Sequence, residues 1–318
     1  MNFENKVGFT IGTGRCGTLF LYQLMDKEPN VASSHERNPD NETFHRYCQW
    51  HGLPVDHEGF LATKEKEILG DLESHAYSFE ASPYLSVSVK ELHERFGAKF
   101  ILLVRRPDRV VTSFAHKGFY RRPYIVKNPD LATGYQDQSP EKVHTFFARI
   151  APSGDFFPAW NAMTPVGKIA WFWRAWNERT LEQLAELPED SYRVVRIEDF
   201  DYPKYLELAQ FLGYQAMVSQ AEFDALKQSK PHAFWRKRNV DQWTEQEIQE
   251  FESQVGELAQ RLGYEHRIAQ LTGEAQAERA DARKQGHIPQ KKNGPQFWSL
   301  RRTTADWLRG LAKHVDVD

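Results

Sequence analysis

Apolar positions along the chain fall into short runs separated by glycine-rich or polar stretches, and the runs alternate between strand-like and helical character. Val7 to Ile11 reads as a short buried strand, and Thr18 to Lys27 as an amphipathic helix after a glycine loop. Tyr77 to Glu80 is a further strand, followed by a helix from about Leu85 to Phe96. The run KFILLV, Lys99 to Val104, is apolar after its lysine and includes β-branched Ile101 and Val104, as suits a strand covered on both faces. Pro107 stands where a helix begins, and that helix runs towards Phe114. Tyr192 to Ile197 is another strand, with a helix through Lys204 to Leu212 that Gly213 stops.

This alternation predicts an α/β fold, a three-layer αβα arrangement with a mostly parallel central sheet. Residues 118–167 break the rhythm, being rich in proline, glycine and aromatics, and suit a binding loop or lid. Trp171, Phe172, Trp173 and Trp176 have helical spacing and read as core. Residues 1–265 are expected to form the main domain and 266–318 a charged linker and tail. In the tail, Phe297, Leu300, Trp307, Leu308 and Leu311 form an apolar stripe flanked by Arg301, Arg302, Arg309 and Lys313. Such a stripe can dock on its own domain, on a second subunit or on a membrane surface.

Charge changes the picture little. The 318 residues carry 41 basic and 44 acidic side chains, a net charge of −3, which gives no electrostatic reason for a nucleic-acid partner. Cys16 and Cys48 are too few for a disulfide framework or a multi-cysteine metal site, and fit a reducing compartment. The N-terminus lacks the basic flank and apolar core of a signal peptide, and no apolar run is long enough to span a bilayer. A cytoplasmic protein is the expectation.

Candidate chemistry begins at Gly12, Gly14 and Gly17, which lie between strand and helix, so that backbone N–H groups can curl round an anion at the helix start. Arg15 adds a fixed cation with several donors, and the Thr18 hydroxyl opens the helix. A nucleotide-hydrolysing loop has the form GxxxxGK[ST]; here Thr18 stands at the lysine position, which weakens the case for a γ-phosphate with its Mg²⁺. A second candidate anion site follows the KFILLV strand, where Arg105 precedes Ser113 by eight positions, with Pro107 opening the helix between them.

With TGRCGT at the first loop and RRPDRVVTS after the later strand, the sequence resembles the sulfotransferases that use 3′-phosphoadenosine-5′-phosphosulfate, PAPS. YRVVRIEDF with a helix ending in FLGY, and Trp235 to Arg238 with Trp243 beyond, are similar to later segments of that family, so the resemblance spans roughly residues 5 to 265. It implies a sheet like that of P-loop-containing nucleoside triphosphate hydrolases. It also implies that Gly14, Arg15, Cys16, Gly17 and Thr18 cradle the 5′-phosphosulfate. Arg105 and Ser113 would hold the 3′-phosphate, with Arg236, Lys237 and Arg238 closing over it. Cys16 departs from the family's serine and Arg238 from its glycine, and Arg106 is open to a structural ion pair.

For sulfuryl transfer the candidate bases are Glu36, favoured, and His35, both in VASSHER where a second strand would reach the carboxyl edge of the sheet. Pairing of Glu36 with Arg37 or Arg15 is the competing reading. Glu80 is a third acid, better suited to partnering an arginine. Arg15 would stabilise charge on the leaving phosphate. No metal-ligand spacing is evident, and His45, His51 and His57 read as scattered through a loop. Phe119, Tyr120, Tyr124, Phe146, Phe147, Phe156, Phe157 and Trp160 are candidates to wall an acceptor cleft, with Arg121, Arg122 and Lys127 suited to an anionic acceptor. The expected acceptor is a small molecule or glycan: a sugar or glycolipid hydroxyl first, a phenol second. A P-loop kinase or NTPase and a non-catalytic nucleotide-binding module are the alternatives.

Overall fold

Val7–Ile11 (β1), Val31–His35 (β2), Tyr77–Ala81 (β3), Lys99–Val104 (β4) and Tyr192–Arg196 (β5) pair in the order β2-β3-β1-β4-β5, every pair parallel. The computed structural model describes residues 3–120, 150–229 and 240–273. The chain divides into two compact units, Met1–Thr272 and Gly273–Asp318, and the fold below is that of the first.

Period-two alternation in the strands sends side chains to two separate cores. Val7, Phe9 and Ile11 of β1 and Phe100, Leu102 and Val104 of β4 point into one core. That core is completed by helices His57–Leu72 (α3), Val89–Phe96 (α4), Pro107–His116 (α5), Pro165–Ala185 (α7) and Glu245–Arg261 (α10). Ile101 and Leu103 of β4 and Tyr77, Phe79 and Ala81 of β3 point the other way, onto Thr18–Met25 (α1), Tyr202–Leu212 (α8) and Gln220–Ser229 (α9). The two cores make this a three-layer αβα sandwich, and the KFILLV run is buried on both faces as its composition predicts.

Local chemistry sets the element ends. Asp201 caps α8 by accepting from the Lys204 N–H at 2.9 Å, and Gly213 closes it in a left-handed conformation. The helix expected from Leu85 to Phe96 is divided: a 3-10 turn, Pro83–Leu85, precedes α4. At the break the Ser86 hydroxyl proton is shared between the Pro83 carbonyl at 2.9 Å and the Gly12 carbonyl at 3.0 Å. Among the described residues no helix is long and apolar enough to cross a membrane.

The sequence reading of the histidines needs correction. His45 and His51 lie on a helix, Pro39–His51 (α2), and His57 opens α3. His45 is buried, stacks on Phe60 at 3.9 Å and lies 3.1 Å from His57, with Ser88 on its other nitrogen. Burial and the His57 charge push it down to about 4, so it packs as a neutral ring.

Candidate active site

The carboxyl ends of β1, β2, β3 and β4 all open on one edge of the sheet, and β1 sits where the chain order reverses, between β3 and β4. In open parallel sheets such an edge forms a crevice. The loop after β1 is held from below. The Gly12 carbonyl accepts from the Trp176 indole N–H at 2.9 Å and from the Ser86 hydroxyl at 3.0 Å. A side chain on Gly12 would meet the Leu103 carbonyl at 2.5 Å, so the loop packs onto β4 only because residue 12 is glycine. Gly14 and Arg15 follow each other in the left-handed region, with φ of 75° and 58°. Gly17, φ 116°, is the N-cap of α1 and offers no side chain to its first N–H groups.

Arg15 reaches across to the second motif. Its Nε donates to Ser113 Oγ at 3.0 Å, and Arg105 Nη1 donates to the Arg15 carbonyl at 2.9 Å. The Trp173 indole holds the Arg105 carbonyl at 3.1 Å. Arg15, Arg105 and Ser113 therefore form one continuous polar cluster. Burial lowers both guanidinium groups from their ordinary value; the opposing charges of Cys16 and Glu36 on Arg15, and of Glu198 on Arg105, offset this in part. Lys117, just past the end of α5, feels the charge of both Arg15 and Glu36, and no sequence motif pointed to it.

The Cys16 thiol is fully buried against the loop itself: burial raises it from its ordinary value, against hydrogen bonds from the Gly14 and Cys16 backbone N–H groups and from Thr13 and against the Arg105 charge. Arg106 takes the structural option, pairing with Asp108 at 3.1 Å. Arg236, Lys237 and Arg238 lie outside the described residues.

On the other side of the loop, Thr18 Oγ1 is 3.5 Å from His35 Nε2, and that nitrogen is 4.0 Å from Glu36 Oε1. Burial lowers His35 from its ordinary value, against the pull of the Glu36 and Glu80 charges. Glu36 has a left-handed backbone, φ 48°, and accepts at Oε2 from the Tyr84 hydroxyl at 3.3 Å. Arg37 turns instead to Asp71 at 2.7 Å. Glu80 takes a lysine rather than an arginine. Lys64 Nζ lies 2.9 Å from both Glu80 and Glu67 and also bonds Glu42, in a buried cluster under the site. The Arg37 backbone N–H donates to Glu80 Oε1 at 3.1 Å, tying that cluster to the Glu36 turn.

The acceptor-wall candidates divide. Phe119, Tyr120 and Trp160 are buried in the core, whereas Phe156 and Phe157 are exposed. Tyr124, Phe146, Phe147, Arg121, Arg122 and Lys127 lie outside the described residues. Among the described residues no group of three or more histidine, cysteine or carboxylate side chains is placed to hold a metal ion.

No protein-family model and no curated protein matches the chain. Among solved structures it is similar to the sulfotransferase domain from the Synechococcus PCC 7002 olefin synthase: 14% identity, TM-score 0.43, 80% of this chain and 95% of that one. It is similar to the sulfotransferase domain from the curacin biosynthetic pathway: 14%, TM-score 0.45, 82% and 98% covered. A sulfotransferase from Mycobacterium avium gives 12%, TM-score 0.46, 84% and 79% covered. Identities this low transfer no residue roles.

Proposed function

We propose that the chain is a sulfotransferase that moves a sulfuryl group from PAPS to an acceptor hydroxyl, a sugar or glycolipid being the first choice. The observation that supports this most is the bond from Arg15 Nε to Ser113 Oγ at 3.0 Å. It joins two anion-holding motifs at one strand-order switch point, where a ligand with phosphates at both ends would span them. The residues fit such a donor: two successive left-handed residues, two part-buried guanidinium groups and a side-chain-free N-cap converge there. When bound, the donor supplies the electrophilic sulfur and a phosphate leaving group.

The protein's own part is acid–base and electrostatic. Glu36, or His35 beside it, takes the proton of the acceptor hydroxyl. The acceptor oxygen bonds to sulfur as the bond from sulfur to the 5′-phosphate oxygen breaks, and 3′-phosphoadenosine 5′-phosphate leaves with the negative charge. Arg15 and the loop N–H groups stabilise that growing charge. Thr18 in place of the lysine of a nucleotide-hydrolysing loop speaks against a kinase.

Calorimetry with 3′-phosphoadenosine 5′-phosphate is the test. Tight binding independent of Mg²⁺ is expected, and binding of ATP only with Mg²⁺ would overturn the reading. With a labelled donor, Glu36→Gln is expected to lower turnover by about 10²–10⁴-fold. Unchanged turnover in that variant passes the role of base to His35.

A further inference from the structure

One buried phenol lies beside Glu36 without a part in the chemistry so far. β3 ends at Ala81, and Ser82 starts the 3-10 turn Pro83–Leu85. Ser82 is fixed three ways: its N–H donates to the Thr10 carbonyl at 2.9 Å, its hydroxyl donates to Glu42 at 2.6 Å, and the same oxygen accepts from the Tyr84 N–H at 3.3 Å. Tyr84 is therefore carried on a pinned turn. Its ring is buried under the Arg46 guanidinium, 4.6 Å from the ring centre, and Arg46 also lies 5.1 Å from the Trp176 ring. Trp176 is the residue whose indole holds Gly12. The stack Tyr84–Arg46–Trp176 thus links the Glu36 turn to the glycine loop.

The geometry points to Tyr84 as a positioning residue for Glu36: its hydroxyl ties down Oε2 at 3.3 Å and leaves Oε1, on the His35 side, to receive the acceptor's proton. This rests on the proposed function, with Glu36 as base. Two features agree. Glu36 sits in a left-handed backbone conformation that a non-glycine residue adopts only when its surroundings enforce it. Enforcement comes from the Glu36 N–H on the Ala81 carbonyl at 3.2 Å and from the Arg37 N–H on Glu80 at 3.1 Å. Tyr84 also stays a donor at all working pH values, because burial, and then the Glu36 charge, push its phenol above its ordinary value. The charged and titratable groups around Glu36 are Arg15 from the glycine loop, His35 from β2, Arg46 from α2, Lys117 after α5, and Tyr84 itself.

Tyr84→Phe keeps the ring under Arg46 and removes only the hydroxyl. The expected result is a fall in kcat of about tenfold, with acceptor KM and the affinity for 3′-phosphoadenosine 5′-phosphate within twofold of wild type. In a Glu36→Gln background the same change should cost nothing further, because the group it positions is gone. A second readout needs no turnover: with 3-fluorotyrosine in place of Tyr84, the fluorine resonance should move when Glu36→Gln is added. Full kcat in Tyr84→Phe, or an unmoved fluorine resonance, overturns the assignment. A wild-type protein that transfers no sulfuryl group overturns the proposed function instead, and the fluorine readout still decides whether Tyr84 holds Glu36.

Discussion

At the scale of single residues, the three glycines of the loop after β1 carry different constraints. Gly12 has φ 152° and no space for a methyl group, which would press on the Leu103 carbonyl at 2.5 Å. Gly14 has φ 75° but only ordinary contacts, at 3.6 Å, around a methyl group. Gly14→Ala should cost about 1–2 kcal/mol, the price of the left-handed conformation alone. Gly12→Ala must also push backbone from backbone and should cost clearly more; thermal melts of the two variants check the order. Glu80 gives a pH effect of fixed sign. Burial, and then the neighbouring Glu42 charge, push it up to about 7 against the pull of Lys64. The folded state therefore holds this proton more tightly than the unfolded chain. That stability is complete below the ordinary carboxylate range and is lost as pH rises through about 7. The limiting slope is about 1.4 kcal/mol per pH unit. Melting temperatures between pH 5 and 8 should fall in wild type and run flatter in Glu80→Gln, which cannot ionise.

At the scale of elements, α7 does two jobs that its sequence shows only in part. The spacing of Trp171, Phe172, Trp173 and Trp176 marks a buried face, and all four are buried. What spacing does not reveal is that the indole N–H groups of Trp173 and Trp176 end on the Arg105 and Gly12 carbonyls, so one helix braces both anion motifs. Trp176→Phe keeps the stack on Arg46 and loses the bond to Gly12. We expect about 1–3 kcal/mol of destabilisation from the lost hydrogen bond and the smaller ring. Affinity for 3′-phosphoadenosine 5′-phosphate should also weaken several-fold, measured by calorimetry below the melting transition. α2 shows the opposite problem. On α2 the inward face carries Glu42, Thr43, His45 and Arg46, all buried, so the helical period of apolar residues is absent and the stretch around His45 and His51 reads as a loop; α3 keeps that period in Phe60, Leu61 and Ile68, with Lys64 buried among them. Pro39 at the first turn was the remaining signal for α2. β1 and β4, by contrast, are continuous apolar runs ended by glycine or arginine, and their bounds agree with the sequence reading.

At the scale of the whole molecule, the strand order determines what Arg105 can do. Sequence identifies Arg15 in one motif and Arg105 with Ser113 in another, but the contact between the two motifs depends on β1 lying beside β4, a pairing between residues some ninety positions apart. The resemblance would assign Arg105 to a 3′-phosphate. The structure turns one of its nitrogens onto the Arg15 carbonyl, which makes it a brace for the glycine loop as well. The two roles differ in what they do to ligand choice. A residue that contacts the 3′-phosphate favours 3′-phosphoadenosine 5′-phosphate over adenosine 5′-phosphate, so Arg105→Ala would collapse that ratio. A residue that only braces the loop acts on the 5′ end common to both ligands, and its loss weakens both equally. Because Arg105 has further guanidinium donors beyond the one on Arg15, both effects are expected together. Arg105→Ala should weaken adenosine 5′-phosphate several-fold and 3′-phosphoadenosine 5′-phosphate by at least ten times more, as read by calorimetry. Ser113→Ala should reproduce only part of that difference, since Ser113 meets the loop through Arg15 Nε and leaves the Arg15 carbonyl in the grip of Arg105. Equal weakening of both ligands in Arg105→Ala would remove the 3′-phosphate from its role and leave the brace.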